Sequence, residues 1–213
     1  MFYRRIIAGA MLVVAVIVAG CSSVDHSVES GYDFGQVNKT AVVDVSGDIR
    51  GKAAIDQTAD LIQLELMKKG YSVIEREKIN EVIEEQEFQH GEATQSEAVK
   101  MGEILNVPAI VMANTQVDGA SIHMTIKMID TEGGQVLWVG SGSKKTGGTL
   151  TRVGGAVAGA AVGVVAGGSR SGRVAGGIAG GVLGGAAGDY LAPEEKDTVK
   201  KVTGLIVDTL PAR

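Results

Sequence analysis

The chain has 213 residues, 45% hydrophobic, 21% charged and 4% aromatic, with 31 glycines, one cysteine and a formal net charge of −5. That length fits one ordinary domain with additional segments, and the apolar content excludes disorder throughout. Glycine stands at about twice its usual ~7% share without any Gly-X-Y period, which excludes collagen. The excess is local, since 16 of the 31 glycines fall between Gly147 and Gly188, a stretch with three arginines and no acid. With that stretch, Arg4 and Arg5 set aside, 15 basic residues stand against 25 acidic ones. An acidic remainder of this kind argues against a nucleic-acid partner, which calls for a basic face that tracks phosphates.

Residues 1–21 combine a basic start at Arg4 and Arg5, an apolar run over 6–19 and then Gly20-Cys21. The run is shorter than the roughly 20 residues of a spanning helix and ends in small residues, as a secretory signal does. Val18-Ala19-Gly20-Cys21 resembles the lipobox of bacterial lipoproteins. The resemblance implies cleavage before Cys21, which then carries a thioether-linked diacylglycerol and an acylated amine. As the only cysteine, Cys21 has no intramolecular disulfide partner. Ser22, in place of an aspartate that would resemble an inner-membrane retention signal, points to the outer membrane with the chain facing the periplasm. No cofactor is expected beyond the covalent lipid.

Residues 21–37 are rich in Ser, Gly and acids without periodicity and are expected to form a tether. A domain follows over 38–147. The β-branched run 40–45 ahead of Ser46-Gly47-Asp48 predicts a strand and turn. Ile55, Ala59, Ile62 and Leu66 recur at helical spacing, with Lys68 and Lys69 in the last turn and Gly70 as the stop. A short strand over 71–74 precedes a helix with Ile79, Val82 and Ile83 on one face. Thr94-Gln95-Ser96-Glu97 fits a capping box for a third helix, with Ala98, Met101 and Leu105 inward. Strands are expected at 108–114, at 122–128 where Ile122, Met124, Ile126 and Met128 alternate with polar residues, and at 135–141 after Gly133-Gly134. The order β-α-β-α-α-β-β-β predicts an α/β (α+β) domain, a small mixed sheet packed with helices and wet on one side of its strand 122–128.

Residues 148–190 carry the most regular pattern. Gly155, Gly159, Gly163 and Gly167 stand four apart, and Gly172, Gly176, Gly180, Gly184 and Gly188 repeat the spacing after Ser169-Arg170-Ser171. Positions four apart share a helix face, and a glycine face lets two backbones approach closely. A glycine-zipper helical hairpin is expected, associated with the membrane or packed on protein, with a flexible spacer as the third alternative. In water each interior glycine costs about 1 kcal/mol relative to Ala, so a helix here requires an offsetting environment. Residues 191–213 hold a closing helix, opened by Pro193, Glu194 and Glu195 and striped with Val199, Val202, Ile206 and Leu210. It is expected to return to the 38–147 domain and so make the zipper an insertion.

Three stretches carry a family resemblance. Val73-Ile74-Glu75-Arg76-Glu77-Lys78-Ile79 with Glu85-Gln86, then 101–111 (MGEILNVPAIV), and Asp130-Thr131-Glu132-Gly133-Gly134-Gln135-Val136-Leu137 resemble the curli production assembly/transport (CsgG) family. The resemblance spans about residues 38–147. It implies an outer-membrane lipoprotein facing the periplasm, a homo-oligomer, and envelope proteins as partners; related lipoproteins of this fold activate peptidoglycan synthesis. The family's namesake exports curli subunits through a β-barrel of long hairpins, whereas here residues 114–121 are expected to be only a short connection.

Chemistry-bearing constellations are sparse. His26, His90 and His123 have no Cys partner and no HxxxH spacing, so surface or strand positions are expected rather than a metal site. The acids between Glu81 and Glu87 fit a solvated helix face, Trp138 a core or interface position, and Glu75 and Arg76 either a subunit contact or a local ion pair. Gly142-Ser143-Lys144-Lys145-Thr146-Gly147 is followed by glycine where a phosphate loop has lysine. A non-enzymatic lipoprotein of envelope assembly or export is therefore the leading expectation, and a lipoprotein that docks on a peptidoglycan-building or other envelope enzyme the alternative.

Overall fold

The computed structural model describes residues 24–85, 93–147, 153 and 190–213. They form a six-stranded mixed sheet packed with four helices. In chain order these are β1 (Val24–Val28), β2 (Lys39–Gly47), α1 (Lys52–Lys68), β3 (Ser72–Val73), α2 (Arg76–Glu85), α3 (Gln95–Ile104), β4 (Ala109–Asp118), β5 (Ser121–Asp130), β6 (Val136–Lys145) and α4 (Pro193–Val207). The strand order is β1-β6-β5-β4-β2-β3.

β2 is parallel to both β3 and β4, while β4, β5, β6 and β1 form an antiparallel meander. The two parallel crossovers, β2–α1–β3 and β3–α2–α3–β4, run across the sheet in opposite directions. Since such crossovers share a right hand, their helices fall on opposite faces. Hydrophobic residues of α1 accordingly join one core cluster with Val42, Val45, Val111, Met124 and Trp138, and those of α2 and α3 join another with Ala41, Val43, Ile110 and Ile129. β2 is thus buried on both sides, which is why it reads as a continuous apolar run rather than an alternating one.

The helix stripes lie where their spacing puts them. Ile55, Ala59, Ile62 and Leu66 of α1 are buried, as are Ile79 and Ile83, Ala98 and Met101, and Val199, Val202 and Ile206. α1 stops as expected at Gly70, whose φ of +91° allows the Tyr71 amide to donate back to the Leu66 carbonyl at 3.2 Å. The capping box at α3 is complete: Thr94 Oγ1 accepts from the Glu97 amide at 3.3 Å, and Glu97 Oε2 accepts from the Thr94 amide at 2.8 Å. The Thr94 hydroxyl, donating to Glu97 Oε2 at 2.7 Å, and then the Thr94 amide hold the Glu97 carboxyl below its usual range.

Helix α4 lies on α1, β5 and β6 in the first cluster. Gly140 and Gly142 of β6 form its seat. A Cβ at Gly140 would stand 2.7 Å from Ile206 Cγ2, and one at Gly142 would stand 3.0 Å from Ile206 Cγ1. Large Trp138 fills the next inward position, fully buried, and its Nε1 donates to Thr209 Oγ1 at 3.3 Å. Two glycines on the same strand face as Trp138 leave the recess that Ile206 fills.

Several expectations need correction. The stretch expected as a tether contains β1, paired antiparallel with β6 from Val24↔Gly142 to Val28↔Trp138, and a 3-10 turn at Phe34–Gln36 with Phe34 and Val37 buried. β1 was illegible because an edge strand with three exposed polar residues between two half-buried valines has no apolar pattern. The strand expected at 108–114 continues to Asp118, so the connection expected over 114–121 is a turn of Gly119 and Ala120. Asn114, Gln116 and Asp118 are polar because they occupy the exposed side of β4, while Thr115 faces inward. Strand 71–74 shrinks to Ser72–Val73, and strand 135–141 extends to Lys145.

Candidate functional site

The three stretches that carry the family resemblance turn out to be parts of the scaffold. Arg76 opens α2 and is 8% exposed. Its Nε donates to Asp56 Oδ1 at 2.8 Å, and Nη1 donates to the Val42 carbonyl at 3.0 Å. That carbonyl sits where the β2–β4 register shifts between Val42 and Asp44. A bulge leaves a backbone group out of the ladder, and the guanidinium supplies its partner while bolting α2 to α1. Of the two alternatives for Glu75 and Arg76, Arg76 makes the local ion pair; Glu75 is exposed.

In the second stretch, a Cβ on Gly102 would collide with Thr131 Cγ2 and Ile110 Cγ2, so glycine lets α3 approach β4 and the β5–β6 turn closely. Asn106, at φ +51°, closes α3 in the left-handed region, and the Val107 amide donates to the Gly102 carbonyl at 3.1 Å. Thr131 Oγ1 then donates to the Val107 carbonyl at 2.7 Å. In the third stretch, Asp130 Oδ2 accepts from the Gly133 amide at 2.6 Å, and Gly134 takes φ +65° to close the turn. Such motifs specify how the chain turns and packs.

Part of the sheet is left uncovered by helices. α2 and α3 span only the β2–β4 side of their face. The remainder shows Asn114 and Gln116 of β4, His123, Thr125 and Lys127 of β5, and Ser141 and Ser143 of β6, adjacent by register. Thr125 and Ser141 are linked across strands at 3.2 Å between their hydroxyl oxygens, and Asn114 Nδ2 donates to Ser46 Oγ at 3.3 Å. At one end lies an open cleft of about 510 Å³, lined by Gly47, Asp48, Asn114, Gln116, Asp118 and His123. Gly47, at φ +98°, is required there, since a Cβ would run into the Thr115 carbonyl. The Asp48 carboxylate is oriented by the Val117 amide at 3.0 Å. Asp48 was read from sequence only as part of a turn, and Gln116 and Asp118 were not singled out; the alternation through 114–118 was the signal that could have found those two.

Among the described residues no group of three or more His, Cys, Asp or Glu is placed to hold a metal. His26 is exposed on β1 and His123 on β5. Glu81, Glu84 and Glu85 are exposed on α2, with Glu84 Oε1 3.0 Å from Lys52 Nζ. The glycines near 142–147 belong to β6 and its end rather than to a phosphate loop. Among the described residues no helix is long and apolar enough to cross a membrane.

Cys21, His90 and the zipper glycines Gly155, Gly159, Gly163, Gly167, Gly172, Gly176, Gly180, Gly184 and Gly188 lie outside the described residues. The flanks of that glycine segment are described. Val153 is fully buried in a parallel bridge with Ile49, its amide donating to the Asp48 carbonyl at 2.7 Å and its carbonyl accepting from the Arg50 amide at 2.9 Å. Leu191, on the other side, is buried, and its amide donates to Gln57 Oε1 at 3.1 Å.

No family model and no curated protein matches the chain. Among solved structures it is similar to the PelC dodecamer from Paraburkholderia phytofirmans, at 10% identity and a TM-score of 0.48 over 91% of this chain and 99% of that one. It is also similar to the LpoB C-terminal domain from Salmonella enterica, at 11% identity and TM-score 0.45 over 51% and 83% of the two chains. A third likeness is to lipoprotein GNA1162 from Neisseria meningitidis, at 15% identity and TM-score 0.43 over 49% and 80%. At such scores and identities these likenesses decide neither family nor function.

Proposed function

We propose that the chain is a non-enzymatic lipoprotein of the outer membrane, held by lipid on Cys21 with its α/β domain in the periplasm, and that it works as a homo-oligomer in envelope assembly or export. The observation that carries this reading is the lipobox-like Val18-Ala19-Gly20-Cys21 placed directly after a 6–19 apolar run. The CsgG-like stretches support the same compartment and assembly. A curli-type export role is the finer form of this reading, with envelope proteins as partners. It does not extend to a β-barrel built from the β4–β5 connection, because a transmembrane strand needs about 9 to 11 residues and only Gly119 and Ala120 lie between those strands.

A second reading, a regulatory module that docks on a peptidoglycan-synthesis or other envelope enzyme, is favoured by the polar half-face of β4, β5 and β6 and its cleft. Two measurements separate them. Cross-linking and light scattering of the detergent-extracted full chain should give a closed oligomer, and its deletion should weaken the envelope. A monomer together with an intact envelope overturns the leading reading, and a monomer that retains a peptidoglycan synthase in a pull-down replaces it with the second.

A further inference from the structure

Val24, Val153 and Leu191 mark three points where the described chain starts, leaves off or resumes, all at one end of the sheet. β1 begins at Val24, three residues after Cys21, so the two Cα atoms lie within about 11 Å of each other whatever path connects them. Val24 pairs with Gly142, antiparallel, so β1 starts at the Lys144–Lys145 end of β6. Residues 154–189, whose only acid is Asp189, leave the domain at Val153 beside Ile49, just past the end of β2. They rejoin it at Leu191, beside the first half of α1. The C-terminal ends of β2, β4 and β6 all lie at this end.

The charge on the β6 side of this end is uneven in a useful way. A groove of about 570 Å³ runs between β6, α4 and α1, lined in part by Lys144, Lys200 and Lys201. Its acids each have a cation: Asp197 lies 2.6 Å from Lys201, Glu65 2.7 Å from Lys68, and Asp208 3.6 Å from Lys69. Lys144, Lys145 and Lys200 form no ion pair among the described residues. Asp48 and Asp118 stand at the same end on the β2–β4 side, and Glu194 of α4 stands beside Gly147. On the β6–α4 side Lys144, Lys145 and Lys200 stand against Glu194, which leaves that side cationic.

Resting on the lipid-anchor reading, we propose that this end of the domain lies against the bilayer, with Lys144, Lys145 and Lys200 on the phosphates of anionic phospholipid headgroups. Lysines near an anionic leaflet are attracted within about a Debye length, ~8 Å at physiological salt. Lipid on Cys21 would hold them in that range without a long tether, and the domain would stand with its strand ends, rather than a sheet face, toward the lipid.

The test uses the full lipidated chain in vesicles of phosphatidylethanolamine and phosphatidylglycerol doped with a nickel-chelating lipid. A nitroxide is placed either at Ser121→Cys, opposite Lys145, or at Gln95→Cys, whose side chain reaches the β5–β6 turn. The two ends of a ten-residue strand are separated by about 30 Å. Relaxation by headgroup nickel should be several-fold stronger at Ser121→Cys, and K144Q/K145Q/K200Q should lower it toward the distal value, as should replacing both lipids with phosphatidylcholine. Equal relaxation at the two positions, or an unchanged difference in the triple variant, overturns the proposal. Failure of the chain to carry lipid or float with the vesicles overturns the anchor reading instead.

Discussion

The two faces of the sheet are built differently. On one, α1 and α4 cover strands from β2 to β6, and Gly140 and Gly142 bring α4 down until Ile206 touches the strand. On the other, α2 and α3 are ten residues each and cover only the β2–β4 side, leaving Gln116, His123 and Lys127 in water. Stability is therefore concentrated on the first face. The second is free to differ in its polar residues at little structural cost, which is where recognition by a partner would be placed.

Truncating the packed face should have the largest effect. Trp138→Ala removes a fully buried ring and its bond to Thr209, and should cost about 3 to 5 kcal/mol in denaturant unfolding. A loss under about 1 kcal/mol would mean that α4 is not seated as described. Arg76→Ala comes next, at about 2 kcal/mol, below the range for a fully buried pair because the Asp56 side chain is 25% exposed. The accompanying loss of the Val42 contact should appear as faster amide exchange at the β2 bulge.

Tyr71 provides a smaller, pH-dependent effect at the far end of the same face. Burial pushes its hydroxyl up to about 12, and it donates to the Pro211 carbonyl at 2.8 Å. A raised folded value means the contribution is intact below the ordinary tyrosine value of about 10. It is lost as pH rises from there through 12. Tyr71→Phe should cost about 1 kcal/mol near neutrality and flatten stability between pH 10 and 12. Smallest of all, Gln116→Ala with His123→Ala should change stability by no more than about 0.5 kcal/mol, while weakening capture of whatever partner uses the open face. A large destabilisation there would erase the distinction between the faces.

Much of the fold was legible because its signals are local and periodic. Ile55 through Leu66, the Thr94 box, Gly70 and the alternation from Ile122 to Met128 each state their own geometry within a few residues. Less was legible where a residue's role depends on a distant partner. Val24 and Val28 become a strand only because β6 provides an edge, and Gly140, inside the strand expected at 135–141, has no reason to be glycine until Ile206, 66 positions later, lies across it. Arg76 is uninterpretable without the bulge in β2 that it caps. The same holds for the open face, since Gln116 and Asp118 belong to it only once β4 is known to continue past Asn114.

Growth of cells with a labelled fatty acid tests the anchor most directly. The full chain should take up the label and fractionate with the outer membrane, and Cys21→Ala should take up none. Label on the Cys21→Ala chain, or none on the unaltered one, would contradict the lipoprotein assignment.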